Sequence, residues 1–379
     1  MQPYICGRFA DQYLITGRTG GHGAKISEEK YLKLATLAEN KVAEVPEWLS
    51  STLSKLGATS INKTTISDLV LIRKQGTVDF VKASYEITEM CNFRCQHCYL
   101  GEKREGQLTL EDKKRVFDLI ERAGCLWLQI TGGEPLVDCD FVKLYTYAQS
   151  LGFLVTLSTN GPLLLSPQIT QVLKEYPPWR LTVSLYGATD DSYESLTKTC
   201  HSASMVYGGL AWAKTNGLRV RINIIVTKYN KNEISRMVEF ARECGFNYHV
   251  FDQISPTVDG NRMPLEVMSM GNCLEDKQFS VEKDSYMRNT PCRAGKTFFH
   301  VGAMGAMSVC KISRQSSINL LSTGVDGFSQ LSSITDKVLT MPVECQICKD
   351  KQKCTTCAPI LALYKIGGKI PAFICRKCE

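Results

Sequence analysis

Nowhere in the 379 residues does the chain stay apolar long enough to cross a membrane as a helix. Charge or glycine breaks the longest runs within about ten residues, where roughly 20 are needed. Met1 to Arg8 lacks a basic stretch followed by an apolar block, so no export signal is expected. There is no internal repeat and no low-complexity segment. These absences set aside membrane and secreted classes and point to a cytoplasmic protein. What is present, 44% hydrophobic and 22% charged residues, is an ordinary globular composition with enough apolar mass for a core. One to three domains are expected at this length.

Cysteine is the residue in excess. A reducing compartment would keep the 17 cysteines as thiols rather than disulfides, so metal binding is the leading explanation. Their placement supports it. Three form Cys91-x3-Cys95-x2-Cys98, eight lie from Cys292 to the C-terminus, and Cys6, Cys125, Cys139, Cys200, Cys244 and Cys273 are scattered. Apart from Cys273, the scattered ones are read as small buried hydrophobes.

The net charge of +7 is also localised. Lys+Arg against Asp+Glu is 10 to 8 over residues 1–80, 23 to 25 over 81–290, and 12 to 5 over 291–379. A basic tail can signal nucleic acid. Clusters held by thiolates are themselves anionic, however, and basic residues beside them would neutralise that charge. A nucleic-acid partner is therefore not expected.

From Lys82 to Gln253, β-rich runs alternate with helix-length segments six times. The runs are 84–88, 126–130, 153–159, 181–186, 220–227 and 248–251. In the segment LEDKKRVFDLIERAG, Val116, Leu119 and Ile120 recur at helical spacing. Repeated strand–helix units imply a parallel sheet covered by helices. Six units are too few for an eight-fold barrel, so the fold class is α/β with a partial, open (β/α)6 barrel. On such a scaffold chemistry collects in the loops at the C-terminal ends of the strands. Residues 1–80 read as a small α+β, winged-helix-like domain, with β-like YICGRF, QYLITG and LVLIR around helical patterns at 27–43 and 46–57. QYLITG or LVLIR could offer a free edge to an extended peptide. The expected organisation is 1–80, a barrel at 81–255, a connection at 256–290 and a Cys-rich domain at 291–379.

The three thiols of Cys91, Cys95 and Cys98 can hold three irons of a four-iron cluster and leave one iron open. A zinc loop is the alternative, although His97 is badly placed to complete it. This loop follows the first barrel strand, and Thr131-Gly132-Gly133-Glu134-Pro135 follows the second, so both lie on one face. With that pair, residues 82–253 resemble the radical S-adenosylmethionine superfamily.

The resemblance implies a [4Fe-4S] cluster on Cys91, Cys95 and Cys98 that binds S-adenosyl-L-methionine. One electron then splits the cofactor into methionine and a 5′-deoxyadenosyl radical. Gly132, Gly133 and Glu134 are similar to the motif that contacts the cofactor's amino group, Tyr99 to an aromatic position near its adenine, and Ser184 to a strand-end hydroxyl near its ribose and carboxylate. Lys198 stands where several relatives carry an arginine. A reductant such as flavodoxin or ferredoxin is implied as a partner.

The tail, with Cys292-x12-Gly305-x4-Cys310, Cys345-x2-Cys348-x5-Cys354-x2-Cys357, Cys375 and Cys378, resembles the SPASM extension. It departs by one residue between its fifth and sixth cysteines. The resemblance implies two auxiliary [4Fe-4S] clusters, making three in all. Cys345, Cys348, Cys354 and Cys375 would hold the outer cluster and Cys292, Cys310 and Cys357 the inner one. The inner cluster's fourth ligand is Cys378, Cys273 or no protein group. A zinc ribbon built from the C-x2-C pairs is the alternative. Relatives with this tail act mostly on peptides, so the expected enzyme is a radical oxidoreductase that crosslinks a ribosomally made precursor peptide through a thioether, C–C or C–O bond. A sulfatase (formylglycine) maturase and an enzyme acting on a small metabolite are the alternatives.

Overall fold

The computed structural model describes all residues except 22, 41–43, 59–64, 104–105, 270–291, 350, 352–353, 355, 373 and 376–379. Near the N-terminus, β1 (Tyr4–Phe9), β2 (Gln12–Gly17), β3 (Gly23–Ile26) and β4 (Val70–Ile72) form a sheet in the order β3-β2-β1-β4. The first three strands are an antiparallel meander, and β4 joins β1 in parallel. QYLITG is thus an interior strand rather than an edge, because the short run Gly23–Ile26, which carries little β-forming sequence, pairs along its outer side.

The two faces of this sheet have different partners, as the period-two alternation of strand side chains requires. Tyr4, Cys6, Tyr13 and Ile15 pack against Tyr31, Leu34, Leu49 and Leu53 of helices Glu28–Glu39 and Glu47–Lys55. Ile5, Phe9 and Leu14, pointing the other way, meet Leu126, Leu154, Trp127 and Trp179 of the main body. One sheet therefore closes its own small core and docks on the larger one.

The main body is built on β5 (Lys82–Glu86), β6 (Trp127–Thr131), β7 (Leu154–Thr159), β8 (Arg180–Leu185), β9 (Val220–Ile225) and β10 (Asn247–Phe251), all parallel and adjacent in sequence order. This is the mixed α/β architecture that the alternation implies, with six parallel strands and α-helices in the five connections between them. Helix Leu110–Arg122 shows why the units form. Thr109 caps it by accepting from the Asp112 amide, and Val116, Phe117, Leu119 and Ile120 bury against the sheet.

Past β5 the sheet gains β11 (Phe298–Val301) in parallel, then β12 (Ala306–Ser308) and β13 (Ile318–Asn319) antiparallel. No pairing joins β10 to β13 among the described residues, so the sheet is open. The Cys-rich tail, short of periodic segments, thus divides. Phe299, Val301, Met307, Leu320, Phe328 and Leu331 join the barrel's core, while Leu361, Tyr364 and Ile370 form a separate cluster with Cys345 and Cys375 at its margin. The first half folds by ordinary apolar burial.

Candidate functional site

The loops leaving β5 and β6 are laced together before any ligand is considered. The Ile87 amide donates to the Thr131 carbonyl (3.0 Å), the Gly133 amide to Thr88 (2.9 Å) and the Glu134 amide to Met90 (2.8 Å). This close approach requires both glycines. Gly132 adopts φ +152°, and a Cβ on it would collide with the Thr88 carbonyl; a Cβ on Gly133 would collide with those of Glu89 and Met90. The pair therefore sets the path of the chain entering Cys91. Gly133→Ala should lower both the iron retained at the barrel cysteines and the thermal midpoint, since overpacking against backbone costs about 1–3 kcal/mol. Iron content and melting indistinguishable from the parent would show that the two loops can part.

The cysteines fall beside this seam. Cys91, Cys95 and Cys98 are half-buried and line a cavity of about 100 Å³ with Gly132, Gly133 and Asn160. Burial pushes the Cys91 and Cys95 thiols up, Cys95 well above its usual value, and the neighbouring thiols add to the effect. Three thiols in one partly dry pocket ionise together only beside compensating cations, which is the requirement an iron site meets. The Asn160 side-chain amide reaches Cys91 Sγ (3.6 Å) and Asn92 Oδ1 (2.8 Å), while its own Oδ1 is buried without a partner. An orphaned acceptor on a residue that lines such a cavity suits a ligand that donates hydrogen bonds. The residues present thus fit a cluster with a small polar cofactor.

The other expected cofactor contacts are placed unequally. Glu134 is fully buried, and its carboxylate accepts from Thr159 Oγ1 (2.7 Å), the Asn160 amide (2.6 Å) and the Leu136 amide (3.0 Å). Burial raises it to about 7 despite these bonds. Its side chain braces the β6 and β7 loops, leaving the two glycines on the cavity wall. Tyr99 lines the cavity, and its hydroxyl donates to Glu86 Oε1 (2.7 Å). Ser184, near the end of β8, is not among the residues lining the cavity, whereas Tyr186, two positions on, is. Lys198 has a left-handed backbone (φ 55°) and ends helix Asp190–Thr197.

His97, read from the sequence only as a poor zinc ligand, turns its ring toward Tyr186 (4.9 Å between ring centres) on the cavity wall. Burial pushes it down to about 4, so it is neutral at ordinary pH. A second group that sequence reading missed is a buried charge network beneath Tyr99. Glu86, at the end of β5, is fully buried and accepts from Arg314 Nη1 (2.8 Å) and Nη2 (2.6 Å); His300 of β11 lies 3.6 Å away. Burial alone would raise Glu86, but His300 and Arg314 outweigh it and hold the carboxyl far below its usual range. Lys311 sits over the Tyr99 ring at 4.4 Å. These partners are more than 200 positions apart in sequence, and no local signal links them.

In the tail, burial foremost pushes the Cys357 and Cys345 thiols up, and neighbouring thiols add to it, Cys310 and Cys292 for Cys357, and Cys375, Cys354 and Cys348 for Cys345. The structure thereby gathers two sets, one of three and one of four. Cys378 and Cys273 lie outside the described residues. Among the scattered cysteines, Cys6 and Cys125 are buried and Cys244 is half-buried, but Cys139 and Cys200 are exposed, contrary to the reading of all five as buried hydrophobes.

Comparison with known proteins agrees with this geometry. The family model for the radical SAM superfamily matches residues 85–241. The AdoMet-dependent heme synthase of Methanosarcina barkeri is 31% identical over 172 residues, covering 44% of this chain and 49% of that protein. The mycofactocin maturase MftC of Mycobacterium tuberculosis is 26% identical over 241 residues, 61% of this chain and 60% of that protein. The chain spans about half the length of the curated relatives it matches. In fold it is similar to SuiB of Streptococcus suis. The crystal structure bound to S-adenosylmethionine matches with a TM-score of 0.58 at 15% identity, over 93% of this chain and 94% of that one. The structure bound to precursor peptide SuiA matches with a TM-score of 0.56 at 14% identity, over 97% and 93%.

Proposed function

Because this chain carries a radical S-adenosylmethionine domain, we propose that it is a peptide maturase that removes hydrogen from a ribosomally made precursor and forms a crosslink in it. The observation that carries this reading is the fold shared along nearly the whole chain with SuiB, a protein solved with its precursor peptide. The similarity to a maturase, MftC, over 61% of this chain points the same way.

In this reading Cys91, Cys95 and Cys98 hold a four-iron cluster with one iron left for S-adenosyl-L-methionine. Bound there, cluster and cofactor supply reductive cleavage and hydrogen-atom abstraction. The chain's own residues hold and shield. Gly132 and Gly133 keep the wall thin enough for a ligand to lie against backbone. Asn160 keeps one side-chain nitrogen on the cysteine loop and turns its free Oδ1 toward a donor. Tyr99 and Tyr186 exclude water from the thiolates, and neutral His97 adds no competing charge. The two tail sets would hold two auxiliary clusters, Cys345, Cys348, Cys354 and Cys375 the outer one and Cys292, Cys310 and Cys357 the inner one, to take up the electron left after bond formation. A flavodoxin or ferredoxin would supply the priming electron. Residues 1–80 would form the peptide-binding unit, with β3 and β4 as its sheet edges.

Kinship with a heme synthase favours a second reading, action on a small metabolite. Co-expression with short reading frames encoded beside the gene separates the two. A peptide maturase should return one of those peptides lighter by two hydrogens. Peptides of unchanged mass alongside a functional barrel cluster would favour the metabolite.

A further inference from the structure

Two arginines are buried where the N-terminal sheet meets the barrel. Arg18, just after β2, is 3% exposed, and Arg73, just after β4, is 5% exposed. A guanidinium so buried is ordinarily held by a carboxylate. Arg18 donates instead to neutral oxygens, to the Gln2 carbonyl through Nε (2.7 Å) and to the Gln149 carbonyl through Nη1 (2.7 Å), and its Nη2 is buried without a partner. Arg73 lies over the Phe153 ring, 5.0 Å from its centre, and its Nε is buried without a partner. Neither arginine forms an ion pair among the described residues. Burial foremost, and then the Arg73 charge, disfavour the charge on Arg18. Burial disfavours that on Arg73 as well, against the pull of Glu121.

Arg73 also lines a small cavity, together with Arg8 of β1, Lys74, Asp79, Phe80 and Gly124. Its volume of about 10 Å³ leaves room for one particle of the size of water or a halide. Three cations stand on its wall against one carboxylate, and that one, Asp79, is taken by Arg8 at 3.1 Å. The excess positive charge therefore rests on Arg73 and the exposed Lys74, while Glu121, which both attract, is not on the wall.

We propose that this junction cavity binds one small inorganic anion, a halide such as chloride, on the Arg73 guanidinium. The anion accepts from Arg73 N–H groups that the protein leaves without acceptors, and its charge relieves the crowding of Arg73 and Arg18. Water could accept the same hydrogen bonds but would leave the buried charge uncompensated. An oxyanion of four oxygens is too large for the cavity. Arg8 and Arg73 come from the N-terminal unit, whereas Phe80 belongs to the barrel's core. A bound anion would thus fasten the one to the other. The inference stands apart from the peptide reading and uses none of its residues.

Crystals of the reconstituted holoenzyme grown with bromide in place of chloride test it directly. Bromide scatters anomalously, and a peak is expected in the cavity within hydrogen-bond reach of Arg73. In solution, the thermal midpoint of the holoenzyme should rise saturably as chloride replaces gluconate at constant ionic strength, which holds screening fixed, with half-saturation in the millimolar range. Arg73→Met should abolish both the peak and the chloride dependence. Should that variant not fold, Arg8→Met should weaken the chloride dependence severalfold in folded protein. Water alone in the cavity of the bromide crystals overturns the proposal, as does equal chloride dependence in a folded variant. A bromide peak with a midpoint indifferent to chloride would mean an adventitious ion only and overturns it too.

Discussion

Cys91→Ala/Cys95→Ala/Cys98→Ala is expected to abolish S-adenosylmethionine cleavage completely and to leave about 8 of about 12 iron atoms per chain after anaerobic reconstitution. The effect should be total because the three thiols share one small cavity and no other described cysteine lines it. The fold should survive, since the loop is anchored by backbone bonds from Gly133 to Thr88 and from Glu134 to Met90 rather than by the thiols. The remaining iron would sit on the two tail sets. Retention of about 4 iron plus zinc would instead mean that one tail set is a zinc site.

Arg314→Met is expected to cause a large loss of stability. It takes from the fully buried Glu86 its two-pronged partner and leaves beside it the Tyr99 hydroxyl, His300 and, over the Tyr99 ring, Lys311. Stranding a buried charge costs about 3–5 kcal/mol, or a drop in thermal midpoint on the order of 10 °C. The sign with pH follows from the lowered Glu86. The network's stabilisation is fully present above the ordinary glutamate value of about 4.3. It is lost only as pH falls below that value toward the depressed folded one, so the deficit should be flat from about pH 6 to 8. Arg314→Lys keeps the charge but loses the two-pronged contact, and should fall between. Scanning calorimetry of the three proteins at several pH values would decide it. A midpoint within a degree of the parent would mean that Glu86 is held by other means.

What was legible in the sequence was what is local. The six barrel strands and the shared face of the cysteine and Gly-Gly loops each follow from runs of residues that sit close together in the chain. The strand Gly23–Ile26 was not legible, because GAKI carries no alternation and owes its conformation to pairing with β2. Nor was the addition of β11 to β5, in which a tail strand of four residues is recruited by Phe299 and Val301 entering the barrel's core. At the site, the sequence pointed to Glu134 as a contact, whereas its buried carboxylate is consumed by Thr159 and Asn160. It gave no hint of Glu86, whose role exists only once His300 and Arg314 arrive from the tail.

The most direct test of the central claim follows an atom. A perdeuterated candidate precursor peptide, turned over with S-adenosylmethionine under reducing anaerobic conditions, should transfer deuterium to the 5′-deoxyadenosine released while the peptide loses two hydrogen isotopes. Mass spectrometry reads both products from one reaction. Deuterium in 5′-deoxyadenosine matched by a crosslinked peptide is the expected result. Crosslinked peptide with entirely unlabelled 5′-deoxyadenosine would contradict the account, because the hydrogen would then have been removed by some other group.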